Sequence, residues 1–224
     1  AALAKEAGIP DGILQVLPGC GALGRQLALH RDIDCITFSG STQVGKHVAD
    51  YAAQSNLKRV WLTLGGKSPN IILPDYLDLA HAAQSTARSI FYNAGQMFYA
   101  GSRVLVHRDI KASFLSLLTA AASLYHPGDP LDPDTRMGAI IDEDQFNTIL
   151  SYIDNAQRQG AQLVFGGKAV PVPTQGYFIE PTILDCPRPD LTVCREEIFG
   201  PVLSVITFRD IEEAVRIAND TDYG

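Results

Sequence analysis

Short apolar runs rich in β-branched residues alternate along the chain with longer stretches of helical period. The runs predict strands at 13–17, 35–38, 59–64, 70–73, 103–106, 162–165 and 202–208. The longer stretches predict helices at 21–29, 42–54, 77–93, 110–124, 143–159 and 211–219. Strands that alternate with helices are typical of βαβ units, so we expect an α/β fold with a mainly parallel sheet.

Polar residues mark several predicted boundaries. Ser41, Asp109 and Asp210 each precede a predicted helix and can accept a hydrogen bond from an N–H group of its first turn. Residues 127–134 are rich in Pro and Asp, and they predict a surface loop, as does the stretch 166–176.

Composition and charge exclude several classes of protein. The 224 residues are 46% hydrophobic and 19% charged, which is enough apolar material for a globular core in one large or two small domains. A net charge of -7 opposes binding to nucleic acid. No apolar run approaches the roughly 18 residues that cross a bilayer, and the start lacks a signal-peptide pattern, so we expect a cytoplasmic protein without membrane contact.

The four cysteines, Cys20, Cys35, Cys186 and Cys194, show no CxxC pair and no interleaved histidine. This spacing predicts neither a metal site nor a disulfide framework, and we expect most of them to be small buried side chains. The chain begins without Met and stops directly after a helical pattern, so we expect it to be an excerpt of a longer polypeptide.

Two glycine-containing turns join predicted strands to predicted helices. The first, at 18–24, matches a Gly-x-Gly-x-x-Gly dinucleotide-binding turn that begins with Gly19, but no carboxylate follows at 37–41. A tight turn without a ligand explains it equally well. The second turn carries Gly40, Ser41 and Gly45 and could present helix N-terminal amides to a pyrophosphate, although an ordinary Ser cap is the simpler interpretation of that turn alone.

A pair of carboxylates, Glu196 and Glu197, precedes the last predicted strand. Such a pair could act in acid–base chemistry or bind a hydroxyl group. Adjacent glutamates are more often solvated or paired with a base such as Arg195.

These motifs occur in a fixed order together with further segments, and the set resembles the aldehyde dehydrogenase superfamily. The segments that carry the resemblance are Thr-Leu-Gly-Gly-Lys-Ser-Pro-Asn at 63–70, Asn-Ala-Gly-Gln-Met-Phe-Tyr-Ala-Gly-Ser-Arg at 93–103, Glu-Glu-Ile-Phe-Gly-Pro-Val at 196–202, and the stretches 128–133 and 218–224. The similarity covers the whole chain but only about the middle half of a typical family member.

The resemblance implies two domains with different roles. Residues 1–64 would be the C-terminal part of a Rossmann-like domain that binds NAD or NADP, and residues 65–224 would be a second α/β domain of the catalytic type, incomplete at its C-terminus. The implied partners are the dinucleotide and an aldehyde, without metal, in a homo-oligomer or a larger chain. The implied cofactor-binding positions are Gly19, Gly40, Ser41, Gly45, Leu64, Glu197 and Phe199.

Family chemistry needs a Cys that attacks the aldehyde and a Glu that activates water. The resemblance places Phe98 at the Cys position and Thr63 at the Glu position. A phenyl ring has no nucleophilic atom, and a Thr hydroxyl is not a base near neutral pH. We therefore expect a catalytically inactive domain retained for structure, assembly or residual nucleotide binding. The alternatives are an NAD(P)-dependent aldehyde dehydrogenase that forms a carboxylic acid, and a plain nucleotide-binding module.

Overall fold

The computed structural model describes residues 1–171 and 175–223, which form two compact units, Ala1–Leu64 and Gly65–Gly224. Residues 172–174 of the predicted loop at 166–176, and the last residue of the closing motif, lie outside the described residues. No described helix is long and apolar enough to cross a membrane.

The first unit is built on one βαβ element. Its helices and strands are α1 Ala2–Glu6, α2 Gly21–Leu29, β1 Cys35–Ser39, α3 Thr42–Gln54 and β2 Arg59–Thr63. Strands β1 and β2 are parallel, and α3 connects them. The prediction that Ser41 caps α3 is confirmed, because its Oγ accepts a hydrogen bond from the Val44 N–H at 3.3 Å.

The predicted strand at 13–17 is wrong. That segment is irregular, and Ile13 and Val16 are 73% and 67% exposed. A strand needs a neighbour that takes up its backbone N–H and C=O groups. In the described part of the first unit, β1 and β2 pair only with each other.

The second unit is a five-stranded sheet with helices. Its elements are β3 Pro69–Ile72, α4 Leu79–Phe91, a 3-10 turn Tyr92–Gly95, β4 Arg103–His107, α5 Lys111–Ala122, α6 Glu143–Arg158, β5 Gln162–Phe165, β6 Thr182–Cys186, α7 Thr192–Arg195, β7 Val202–Phe208 and α8 Ile211–Ala218. The strand order is β3-β4-β7-β6-β5, and only β5 runs antiparallel to its neighbour. The predicted α/β class and mainly parallel sheet are confirmed.

The central strands β4 and β7 form the core of this unit. Both are buried along almost their whole length, as expected for parallel strands covered on both faces. The sequence did not predict β6, whose Asp185 interrupts the apolar pattern. Asp185 is neutralised by Lys111, with 2.7 Å between Oδ2 and Nζ, and this pairing makes a carboxylate tolerable on an inner strand.

The two further predictions of helix caps have different outcomes. Asp210 caps α8 by accepting the Glu213 N–H at 2.8 Å, as predicted. Asp109 does not cap α5, because that helix begins at Lys111, one residue later than predicted, and its N-cap residue is Ile110, which provides no side-chain cap. The expectation that most of the cysteines are buried is wrong: Cys186 and Cys194 are buried, whereas Cys20 and Cys35 are exposed.

Candidate functional site

The Glu197 carboxylate is positioned by the glycine turn that precedes β3. Its Oε1 accepts a hydrogen bond from the Gly66 N–H at 3.0 Å. A side chain at position 65 would overlap Oε2, so Gly65 is required for this approach. Burial raises the pKa of Glu197, although the Gly66 hydrogen bond and nearby Lys67 act in the opposite direction.

Lys67 lies behind this turn and is fully buried. Its Nζ has no hydrogen-bond partner among residues 1–171 and 175–223. Burial lowers the pKa of Lys67 to about 8, against an opposing contribution from Cys194. Sequence reasoning missed Lys67, because a Gly-Gly-Lys run carries no periodicity that would indicate a buried ammonium.

Arg103 fixes the carbonyl of Lys67 to the end of α8. Its Nε donates to Lys67 O at 2.8 Å, and its two terminal nitrogens donate to Ile217 O at 3.0 Å and Ala218 O at 2.8 Å. Carbonyls of α8 that have no partner inside the helix are thereby satisfied. The turn that holds Glu197 is thus anchored by a buried guanidinium.

Glu196 and Glu197 do not form a cooperating pair. The Tyr152 hydroxyl donates to Glu196 Oε2 at 2.7 Å. Arg195, the base suggested by sequence, pairs instead with Asp220 at 3.3 Å. Glu196 has extended backbone, so consecutive side chains point to opposite sides, and only Glu197 meets the glycine turn.

Phe199 sits in a strained turn held by α6. Its φ is 56°, a left-handed value that is uncommon for a bulky residue. Gln145 Nε2 donates to the carbonyls of Ile198 and Phe199 at 2.8 and 3.0 Å. These bonds fix the backbone of the turn, and the Phe199 residue remains 39% exposed.

Phe98 follows a left-handed turn. Asn93 and Ala94 have φ of 52° and 53°, and a side chain at Gly95 would overlap the Gly200 carbonyl. The Phe98 ring is 45% exposed and lies edge-to-face on Tyr99, with 5.1 Å between ring centroids. An aromatic surface therefore stands where the resemblance expects a thiol.

In the first unit, most of the predicted residues gather at one end of the βαβ element. The Gly40 N–H donates to Thr63 O at 3.2 Å, which ties the turn before α3 to the end of β2. A side chain at Gly45 would overlap Leu64, so Leu64 packs directly on α3. Gly19 does not belong to this group, because it lies in an exposed irregular segment.

A sequence model of the aldehyde dehydrogenase family matches residues 1–224. The chain belongs to the aldehyde dehydrogenase family.

Similar proteins agree with this membership. NADP/NAD-dependent aldehyde dehydrogenase PuuC of Escherichia coli is 46% identical, over 100% of this chain and 45% of that enzyme. The crystal structure of gamma-glutamyl-gamma-aminobutyraldehyde dehydrogenase from Burkholderia cenocepacia is 60% identical, with a TM-score of 0.96 over 99% of this chain and 45% of that one. The structure of P. syringae AldA indole-3-acetaldehyde dehydrogenase with NAD+ and IAA is 52% identical, with a TM-score of 0.96 over 98% of this chain and 44% of that one. The chain thus spans somewhat less than half the length of these relatives, and its α/β aldehyde dehydrogenase fold is theirs.

Proposed function

We propose that this aldehyde dehydrogenase domain no longer oxidises aldehydes and retains elements that bind a nicotinamide dinucleotide. The observation that carries the proposal is Phe98 at the position of the family's nucleophile. Cys186 and Cys194, the thiols of the second unit, are 2% and 0% exposed and cannot present a sulfur to an aldehyde at the surface. Loss of a nucleophile typically reduces turnover by roughly 10^4-fold or more.

The general base is missing as well. Thr63 lies at the end of β2, paired with Ser39 of β1, and its hydroxyl cannot remove a proton from water near neutral pH. Glu197 is engaged with Gly66, and its family position is that of a ribose contact. Both losses affect steps that the cofactor cannot replace.

The residues that would bind NAD(P)+ fit that ligand in each unit separately. At the start of α3, N–H groups of the first turn have no acceptor inside the helix and carry partial positive charge, which suits a pyrophosphate beside Gly40. In the second unit, Gly66 engages only Oε1 of Glu197, so Oε2 can accept a hydrogen bond from a ribose hydroxyl. Bound NAD(P)+ would supply the hydride acceptor.

The proposal extends to domain roles and assembly. We assign dinucleotide binding to Ala1–Leu64 and the catalytic-type fold to Gly65–Gly224, in a cytoplasmic protein that is homo-oligomeric or part of a larger chain. The larger chain is supported by the length of the relatives, about twice that of this chain; the domain roles, compartment and homo-oligomer follow from the resemblance to the family. Light scattering on the full-length protein tests the assembly.

Two measurements on the full-length protein separate the proposal from its alternative. We expect no NAD(P)H from a panel of aldehydes, and saturable NAD(P)+ binding by calorimetry that weakens in Glu197→Gln. Aldehyde-dependent NAD(P)H formation that iodoacetamide abolishes would instead establish an active, thiol-dependent aldehyde dehydrogenase.

Restoration tests whether only the chemistry was lost. Phe98→Cys should create a thiol that iodoacetamide labels, and combining it with Thr63→Glu should restore measurable turnover. Tyr99→Cys combined with Thr63→Glu is the matched control, because it places a thiol one residue away. Equal turnover in the two double variants would contradict the assignment of position 98.

A further inference from the structure

The backbone that precedes Glu197 is attached to the turn that follows α8. The Thr221 hydroxyl of this turn donates to Arg195 O at 2.9 Å, and its Oγ1 accepts the Tyr223 N–H at 3.4 Å. Asp220 Oδ1 lies 3.3 Å from the Arg195 guanidinium. The chain two residues before Glu197 is therefore joined to this turn by one hydrogen bond to its backbone and one ion pair to its side chain.

The start of this turn is fixed to the last residues of α8. The backbone N–H and the side-chain Nδ2 of Asn219 donate to Val215 O at 3.1 and 2.9 Å. The Asp220 N–H donates to Ile217 O at 3.2 Å. These bonds satisfy carbonyls that have no partner inside the helix. Thr221 thus follows directly on a capped helix end.

The glycine turn, which is the other half of the Glu197 contact, is attached to the same helix end. Arg103 donates to Lys67 O, directly after Gly66, and also to the carbonyls of Ile217 and Ala218. Gly66 and Glu197 lie 131 residues apart in the sequence. Because both halves of the contact are tied to residues 217–221, this short stretch sets their position relative to each other.

The chain that follows Glu197 is held separately, by α6. Gln145 Nε2 donates to the carbonyls of Ile198 and Phe199. Loss of the Thr221 hydrogen bond would therefore release the chain on one side of Glu197 and leave the other side fixed. The expected consequence is a local displacement of the Glu197 carboxylate, without unfolding of the segment.

We propose that Thr221 is a positioning residue, whose hydrogen bond to Arg195 O keeps the Glu197 carboxylate on the Gly66 N–H. The carboxylate is thereby held in place for a ribose hydroxyl, and this second part rests on the proposed function. The neighbouring ion pair contributes little, because the side chains of Arg195 and Asp220 are 44% and 42% exposed and water screens them. The Thr221 hydroxyl is the group that positions the segment.

Hydrogen exchange of the Gly66 amide tests the proposal without any ligand, because this amide donates to Glu197. Mass spectrometry of overlapping peptic peptides that end on either side of residue 66 measures it in the full-length protein. The variants are Thr221→Val, which keeps the shape without the hydroxyl, and Thr221→Ser, which keeps the hydroxyl. We expect exchange at Gly66 to be about threefold to tenfold faster in Thr221→Val, as for loss of one hydrogen bond, and unchanged in Thr221→Ser. Unchanged exchange in Thr221→Val would overturn the proposal.

Two matched variants separate this local effect from a general loss of stability. Thr148→Val removes a hydroxyl that donates to Asp144 O at 2.8 Å within α6. Asp220→Asn removes the exposed ion pair from the same turn as Thr221. Neither variant should change exchange at Gly66. An increase in either one as large as that in Thr221→Val would refute a specific role for the Thr221 hydroxyl.

Calorimetry of the same variants with NAD+ and with NADP+ tests the link to ligand binding. We expect Thr221→Val to weaken dinucleotide affinity about threefold to tenfold and Thr221→Ser to restore it. A wild-type protein that binds neither dinucleotide would overturn the proposed function, whereas the exchange at Gly66 would still decide the role of Thr221. Unchanged affinity in Thr221→Val, together with faster exchange at Gly66, would overturn the ribose part of the proposal alone.

Discussion

Replacing Lys67 by Met should make the folded protein more stable. A buried ammonium without a hydrogen-bond partner is costly, and Met has a similar length without the charge. The substitution therefore removes the cost of burying the charge and leaves a side chain that suits an apolar environment.

The magnitude follows from the depressed pKa of Lys67. Burial lowers it from 10.5 to about 8, and a tenfold change in a protonation constant corresponds to about 1.4 kcal/mol. Because the folded pKa is the lower one, the folded chain binds fewer protons between pH 8 and 10.5, and stability rises with pH across that window. Below pH 8 the cost of charging Lys67 is complete, at about 3 kcal/mol. We expect Lys67→Met to gain about this amount at pH 7 and progressively less toward pH 10.5.

Lys58 provides the matched control, because it is also buried but fully hydrogen-bonded. Its Nζ donates to the carbonyls of Ala28 and His30 and to Ser55 Oγ, the last two at 2.8 and 2.9 Å. Lys58→Met removes these bonds and should destabilise the protein by roughly 2–4 kcal/mol, since hydrogen bonds to charged groups are among the stronger ones. The two lysine variants should therefore shift stability in opposite directions.

The assay is urea unfolding of the full-length protein and both variants, followed at several pH values from 7 to 10.5. The midpoint should rise for Lys67→Met and fall for Lys58→Met, without a change of slope. If Lys67→Met lowers the midpoint at pH 7, the Lys67 ammonium is favourably paired and the argument from its burial is wrong.

Three further results are expected. Gly65→Ala should displace the Glu197 carboxylate and weaken NAD(P)+ binding in calorimetry, whereas Gly24→Ala, whose added methyl group meets no neighbour, should not. Acidification should weaken that binding at a pH above 4.5, because burial raises the pKa of Glu197, and Glu197→Gln should lose this dependence. Tyr152→Phe should lower the urea midpoint by the equivalent of about 1 kcal/mol through loss of the hydrogen bond to Glu196; an unchanged midpoint would show that this bond contributes nothing.

Local pattern was sufficient for much of the fold. The alternation of apolar runs and helical stretches predicted the α/β class, and the side chains of Ser41 and Asp210 predicted two helix starts, because a cap interacts with an N–H group only three residues away. The motif order indicated the family that the comparisons confirm. The strand predicted at 13–17 failed, because a strand also depends on a neighbour that local pattern does not specify.

The sequence by itself determined the fold class and the family, and the assignment of positions 63 and 98 to two reactive side chains stays a prediction from the resemblance. Tertiary structure alone decided which groups meet: Gly66 holds Glu197 from 131 residues away, and the buried Lys67 ammonium has no hydrogen-bond partner in the part of the chain that the structure describes. The physical reason is that burial and long-range partners follow from strand order. Periodicity reports only which face of an element is apolar, not which other element covers it.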